Sequence, residues 1–202
     1  MRVAIVIARA GSKRIPGKNK KLFLGEPMIS YPLSVLGYMK AKRQFDSVVV
    51  STDDDDIRDI AWAHGAQYLQ REPEYAGDDV QTKAVMAREV TRLQLADNDV
   101  ACCIYPTAVM MDYHDLWWCM DMLWMRPAYF VVPVGTEPLA DAGQFYCSLA
   151  GHWKDTVTPI YGIRTSYYPI EPERVCDINT IEDFERAERM YTALKEKPCD
   201  TR

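Results

Sequence analysis

Four short apolar runs, at residues 3–8, 48–51, 100–105 and 129–134, are separated by stretches long enough to hold helices. The runs are continuous rather than alternating, the pattern of strands buried on both faces and hence of a parallel sheet covered by helices. Residues 54–64 place Ile57, Ile60 and Ala61 on one helical face and close on Gly65, a residue favoured just past a helix end. Residues 27–40 open on a proline suited to a first turn, and residues 79–95 carry Ala84, Val85, Val90 and Leu93. Residues 180–195 repeat Phe184, Ala187, Met190, Tyr191 and Leu194 at helical spacing. In residues 112–125, Trp117, Trp118, Met120, Met122, Trp124 and Met125 make a helix apolar nearly all round, expected to be buried with one side in a subunit contact. With no repeat or linker across the 202 residues, the expectation is one α/β domain, a mostly parallel central sheet flanked by helices.

Charge is unevenly spread. The first 25 residues hold seven bases and no acid, leaving 17 bases against 29 acids in the other 177. A basic segment on an acidic protein points to a local anionic ligand and away from nucleic acid, which needs a basic face across the domain. The first apolar run is too short to span a membrane and no small-residue cleavage site follows it, so it reads as a strand. Cys102, Cys103, Cys119, Cys147, Cys176 and Cys199 contain no C-x-x-C pair, so reduced thiols in a cytoplasmic protein are expected, with no zinc site. His64, His114 and His152 have no metal-ligand spacing either.

In open α/β sheets the ligand sits beyond the carboxyl ends of the strands. The loop after the first strand runs Ala8-Arg9-Ala10-Gly11-Ser12-Lys13-Arg14-Ile15-Pro16-Gly17-Lys18-Asn19-Lys20-Lys21. It is neither a Walker A loop nor a G-x-G-x-x-G fingerprint. A glycine-containing turn with several cations suits a triphosphate; a solvated basic loop, or one touching nucleic acid, is the alternative. The acidic run at residues 53–56 reads as a capped helix start, with Asp53 alone close enough to the strand end to reach a site.

The stretch Ala8-Arg9-x-Gly11-Ser12-Lys13-Arg14-Ile15-Pro16-x-Lys18-Asn19-x-Lys21, with Leu24-Gly25-x-Pro27-Met28-Ile29 after it, resembles the start of the CMP-sialic acid synthetases. Ser51-Thr52-Asp53-Asp54, Arg71 seven residues before Asp78, and Thr82 agree in order. The stretch from Cys102 through Tyr105-Pro106-Thr107-Ala108 and Asp141-Ala142-Gly143-Gln144-Phe145-Tyr146 resemble the pseudaminic acid branch, and Asp177-Ile178-Asn179-Thr180-x-x-Asp183-Phe184 the family's closing metal motif.

The resemblance implies a Rossmann-like nucleotidyltransferase fold of the glycosyltransferase-A type that joins CTP to a nonulosonic sugar acid and releases pyrophosphate. It implies Arg9, Lys13 and Lys21 as the catalytic cations, and Ala8, Arg9, Gly11, Ser12, Lys13, Lys18, Asn19 and Arg71 around the nucleotide. Tyr105, Gln144 and Tyr146 fall on the acceptor side, with an ordinary strand packing Phe145 as the alternative for the last two. Asp177 and Asn179 stand at the metal positions, for magnesium with manganese as the alternative. Two departures accompany it. Asn179 replaces a second carboxylate, so weaker metal affinity is expected, and a family member without turnover is the alternative. Only residues 135–140 stand where the family carries a long insertion with sugar contacts and much of its homodimer interface. That leaves the acceptor open, including a smaller one.

Overall fold

β1 (Arg2–Ile7) lies between β4 (Ser47–Thr52) and β6 (Val100–Ile104), parallel to both, near the middle of an eight-stranded sheet. Beyond β4 comes β5 (Gln67–Gln70), also parallel. On the other side β9 (Phe145–Leu149) runs antiparallel between β6 and β7 (Phe130–Thr136); β10 (Thr165–Ile170) pairs parallel with β7, and β8 (Leu139–Asp141) antiparallel with it. This computed structural model describes residues 1–125, 128–136 and 139–196. Cys199 lies outside them.

The continuous apolar runs follow from burial on both faces. Ala4, Val6, Val50, Cys102 and Ile104 pack beneath α1 (Ser30–Ala41), α2 (Asp55–Ala63) and α4 (Tyr113–Met125). Val3, Ile5, Val49, Ala101 and Cys103 face Met86 and Val90 of α3 (Thr82–Arg92) and Trp153 of α5 (Ala150–Lys154). A third cluster joins Phe23, Met28 and Ile178 to Phe184 and Ala187 of α6 (Ile181–Glu196). No described helix is long and apolar enough to cross a membrane.

Local chemistry sets several boundaries. Asp54 caps α2 by accepting from the backbone N–H of Asp56 at 2.9 Å and Ile57 at 3.3 Å, while Asp55 and Asp56 sit in the first turn, where the helix dipole favours negative charge. α1 starts at Ser30 and not at Pro27. Leu24 and Gly25, at φ 47° and 96°, turn the chain in a two-residue hairpin between β2 (Leu22–Phe23) and β3 (Glu26–Pro27), taking up the proline as a strand residue. α4 departs from expectation too. It buries Leu116, Cys119, Met120 and Leu123, but Trp118, Trp124 and Met125 are 44%, 57% and 68% exposed, so one face only is covered.

Candidate active site

β1 carries one neighbour to each side whose connections leave in opposite directions, which makes the carboxyl ends of β4, β1 and β6 the switch point of the sheet. A cleft of about 440 Å³ opens there, lined by Arg9, Gly11, Ser12, Lys13, Arg14, Lys18, Asn19, Arg71, Asp78, Thr82, Tyr105 and Thr107 among others. Seven of the eight expected nucleotide residues converge on it. Ala8 is fully buried, its N–H donating to the Ser51 carbonyl at 2.9 Å, so it anchors the loop from below.

The loop is fastened by polar contacts within it and from Asp53 after β4. Asp53 accepts from the Ala10 N–H at 2.7 Å, Asn19 donates Nδ2 to the Arg9 carbonyl at 2.9 Å, and Gly17 turns the chain at φ 61°. Arg9 Nη1 and Lys13 Nζ both reach Asp78, the lysine at 2.7 Å. Those hydrogen bonds, from Lys13 first and then Arg9, hold the Asp78 carboxyl below its usual range. Lys18 crosses to the Ile178 carbonyl at 2.7 Å, and burial pushes its ammonium pKa down against the opposing pull of Asp177. Lys21 is placed differently: it is exposed, off the cleft lining, with Nζ 5.5 Å from the centre of the Phe184 ring.

Arg71 follows β5 and is 3% exposed. Its Nε donates to Ser51 Oγ at 3.1 Å and its Nη2 to the Ser51 carbonyl at 2.9 Å.

Tyr105 sits between the cleft and a cluster of hydroxyls. Its own hydroxyl is 2.6 Å from Thr82 Oγ1, and its ring meets Tyr146 edge-on at 5.5 Å. Tyr146 donates to Asp141 Oδ2, and the Tyr161 hydroxyl lies 2.6 Å from that oxygen and 2.8 Å from the Tyr146 hydroxyl. Burial raises the pKa of all three phenols, so they stay neutral donors. Gln144 is 2% exposed and is not a cleft residue. Its Nε2 donates to the Arg174 carbonyl at 2.6 Å, while Oε1 has no partner among the described residues.

Asp177 packs under Gly143, where a Cβ would come within 3.2 Å of its side chain. Asn179 donates Nδ2 to Asp177 Oδ2 and accepts from Arg14 Nη2 on Oδ1 at 2.8 Å. A carboxylate can only accept and a guanidinium can only donate, so these two partners settle which end of the amide faces which. The Asn179 oxygen is therefore engaged by a cation of the chain itself. Among the described residues no group of three or more His, Cys, Asp or Glu side chains could hold a metal.

Sequence reasoning passed over Glu89, Tyr161 and the Arg14–Asn179 contact, and named Ser51 only within the Ser51-Thr52-Asp53-Asp54 stretch. Only Glu89 left a signal: it stands four and three residues after Val85 and Met86, on the buried face of α3.

A switch-point cleft floored by a basic loop and walled by a buried arginine defines a nucleotidyltransferase of Rossmann-like fold. The chain belongs to the cytidylyltransferase family, whose profile matches residues 3–137, and the resemblance to the CMP-sialic acid synthetases holds. The pseudaminic acid cytidylyltransferase of Campylobacter jejuni serotype O:2 is 28% identical over 225 residues, covering 94% of this chain and 95% of that protein. The "Pseudaminic acid cytidylyltransferase and UDP-2,4-diacetamido-2,4,6-trideoxy-beta-L-altropyranose hydrolase" of Helicobacter pylori is 37% identical over 110 residues, 54% of this chain and 21% of that longer protein. Two solved structures share the fold. CMP:2-keto-3-deoxy-manno-octonic acid synthetase complexed with CTP superposes with a TM-score of 0.72 at 13% identity, covering 96% of this chain and 99% of that one. Rv0371c of Mycobacterium tuberculosis in complex with manganese gives 0.64 at 13% identity, covering 93% and 98%.

Proposed function

We propose that the protein transfers the cytidylyl group of CTP to a nonulosonic sugar acid of the pseudaminic or sialic type. The acceptor's anomeric oxygen bonds to the α-phosphorus, the bond to pyrophosphate breaks, and the hydroxyl proton is lost. The observation that carries this reading is the convergence of Arg9, Lys13 and Lys18 with Asn19 and Arg71 on one cleft at the sheet's switch point. An anionic acceptor approaching a triphosphate is opposed by charge, and preorganised cations lower that barrier. Arg71 and Asn19 have the donors that the carbonyl and ring nitrogen of cytosine accept. Tyr105 and Tyr146, with Tyr161 and Asp141, supply hydroxyls and a carboxylate for the polyhydroxylated acceptor, and Gln144 braces this wall from behind. Lys21 would reach the phosphates only by leaving Phe184.

Incubating the purified protein with CTP, a divalent cation and a panel of nonulosonic acids should release pyrophosphate. Silence with every sugar, in magnesium and in manganese, overturns the reading.

The donor set fits a divalent cation only in part. Magnesium habitually takes one or two carboxylates and completes its shell with substrate oxygens and water; Asp177 supplies one carboxylate, and Asn179, as placed, supplies nothing. When bound, the ion would neutralise phosphate charge. Asn179→Asp is expected to tighten manganese binding in the presence of CTP by tenfold or more, read by electron paramagnetic resonance. An unchanged affinity would show that this position lies off the ion. The Arg14–Asn179 contact also favours a second reading, a CTP-binding protein without turnover. Calorimetric CTP binding with no pyrophosphate release would support it.

Asp78 occupies the two cations that a triphosphate needs. Asp78→Asn is expected to tighten CTP binding by about two- to fivefold at low salt, the scale of an exposed ion pair, and by less at high salt. Weaker binding in that variant would make Asp78 a ligand contact instead.

The five described cysteines are free and buried, which supports a reducing compartment, the cytoplasm. The exposed apolar side of α4 supports a homodimer in place of the family's usual interface, checked by sedimentation.

A further inference from the structure

Glu89 is a fully buried carboxylate that touches no cleft surface, and its partners lead to the residue that does. Its Oε1 accepts from Ser51 Oγ at 2.6 Å, and its Oε2 from Arg92 Nη1 at 3.2 Å. Ser51, also fully buried, accepts from Arg71 Nε on the same oxygen that donates to Glu89. A serine hydroxyl has one proton. Because the carboxylate takes it, the lone pairs of Ser51 Oγ are left to face the guanidinium, and the polarity of the relay from Arg71 through Ser51 to Glu89 has a single sense. The negative charge behind Ser51 also offsets part of the cost of burying the guanidinium. With Nε and Nη2 on Ser51, Nη1 has no hydrogen-bond partner among the described residues, and Arg71 lines the cleft.

We infer that Glu89, acting through Ser51, is a positioning residue that locks the Arg71 guanidinium for reading the pyrimidine edge, and that it sets the preference for cytosine over uracil. The inference rests on the cytidylyl-transfer reading above. Cytosine presents two adjacent acceptors, O2 and N3, whereas uracil presents an N–H at position 3. A guanidinium has donors only, so held rigidly it pairs with the first edge and meets the second with a donor against a donor. An arginine free to swing would turn away from the uracil N–H and lose that discrimination.

Calorimetric titration of the intact protein with CTP and with UTP tests this in wild type, Glu89→Gln, Ser51→Ala, the double variant and Arg71→Ala. The wild type should prefer CTP. In Glu89→Gln and in Ser51→Ala the CTP-over-UTP ratio should fall by roughly tenfold, toward that of Arg71→Ala, and the double variant should be no worse than either single one because both cut the same relay. Ser51→Ala, a small change, keeps the test open if Glu89→Gln fails to fold. A merely structural role would lower the unfolding temperature and weaken both nucleotides together, leaving the ratio unchanged; that result overturns the inference. A wild type that binds no CTP overturns the functional reading itself, whereas a CTP-selective wild type with equally selective variants overturns the role of Glu89 alone.

Discussion

Arg9→Ala should lower kcat/KM for CTP by roughly 10²- to 10³-fold, the size found when one preorganised donor is taken from a developing anion. Arg9 is the first residue of the basic loop able to bring a full charge over the end of β1, and its backbone is fastened on both sides: Asn19 donates to its carbonyl, and Asp53 holds the next N–H. The guanidinium exchanges Asp78 for phosphate when CTP binds, but the backbone that carries it needs no reorganisation when the α-phosphate reacts. The side chain is only 31% exposed, so solvent screens it less than it screens Lys13 at 86%. Lys13→Ala should accordingly cost less, and Arg9→Lys should recover part of the loss by restoring charge without the planar fork. The measurement is continuous pyrophosphate release at fixed acceptor. A loss of less than threefold in Arg9→Ala would remove it from the phosphate site and leave the cradle to Lys13 and Lys18.

The largest effect on stability is expected at the opposite face. Trp153→Ala should lower the free energy of unfolding by about 3–5 kcal/mol, the range for truncating a fully buried large aromatic. Trp153 has no exposed surface, meets Phe130 edge-on with centroids 5.0 Å apart, and donates Nε1 to the Ala101 carbonyl at 2.9 Å. Its loss would leave a cavity beneath α5 and remove a buried hydrogen bond from the middle of β6. Since whole domains are stable by only about 5–15 kcal/mol, the variant should sit close to its unfolding threshold. Urea unfolding followed by far-ultraviolet circular dichroism gives the number. A shift below about 1 kcal/mol would mean that the pocket collapses around the smaller side chain.

Much of this protein is legible from the chain alone, for a definite reason. Continuous apolar runs at helix-length spacing admit few folds other than a covered parallel sheet, because a strand without a polar face must be buried twice. That logic places β1, β4, β6 and β7, and with the switch-point rule it directs attention to the loop at residues 8–21. Strands of mixed polarity escaped it. β5 and β10 lie at the sheet's edges with half-exposed side chains, so neither presents a continuous apolar run. α5, at five residues, is too short for a helical period to register.

The site divides along the same line. Residues adjacent in sequence declare themselves as a motif, and the basic loop and the Asp177–Asn179 pair do so. Which polar atoms face one another depends on contacts across the fold: Arg14 meets Asn179 from 165 residues away, Tyr161 joins Tyr146 and Asp141 across 15 and 20, and Glu89 meets Ser51 across 38. Composition and periodicity carry no information about such pairs, because a hydrogen bond depends on distances of a few tenths of an ångström set by packing. By itself, the amino-acid sequence determined the sheet's parallel core, the basic loop at its carboxyl end and the family to which both belong. Only the tertiary structure decided that β9 enters antiparallel between β6 and β7, that Arg71 is braced from behind, that Lys21 rests on Phe184, and that a guanidinium takes the oxygen of Asn179, since each is an outcome of long-range packing.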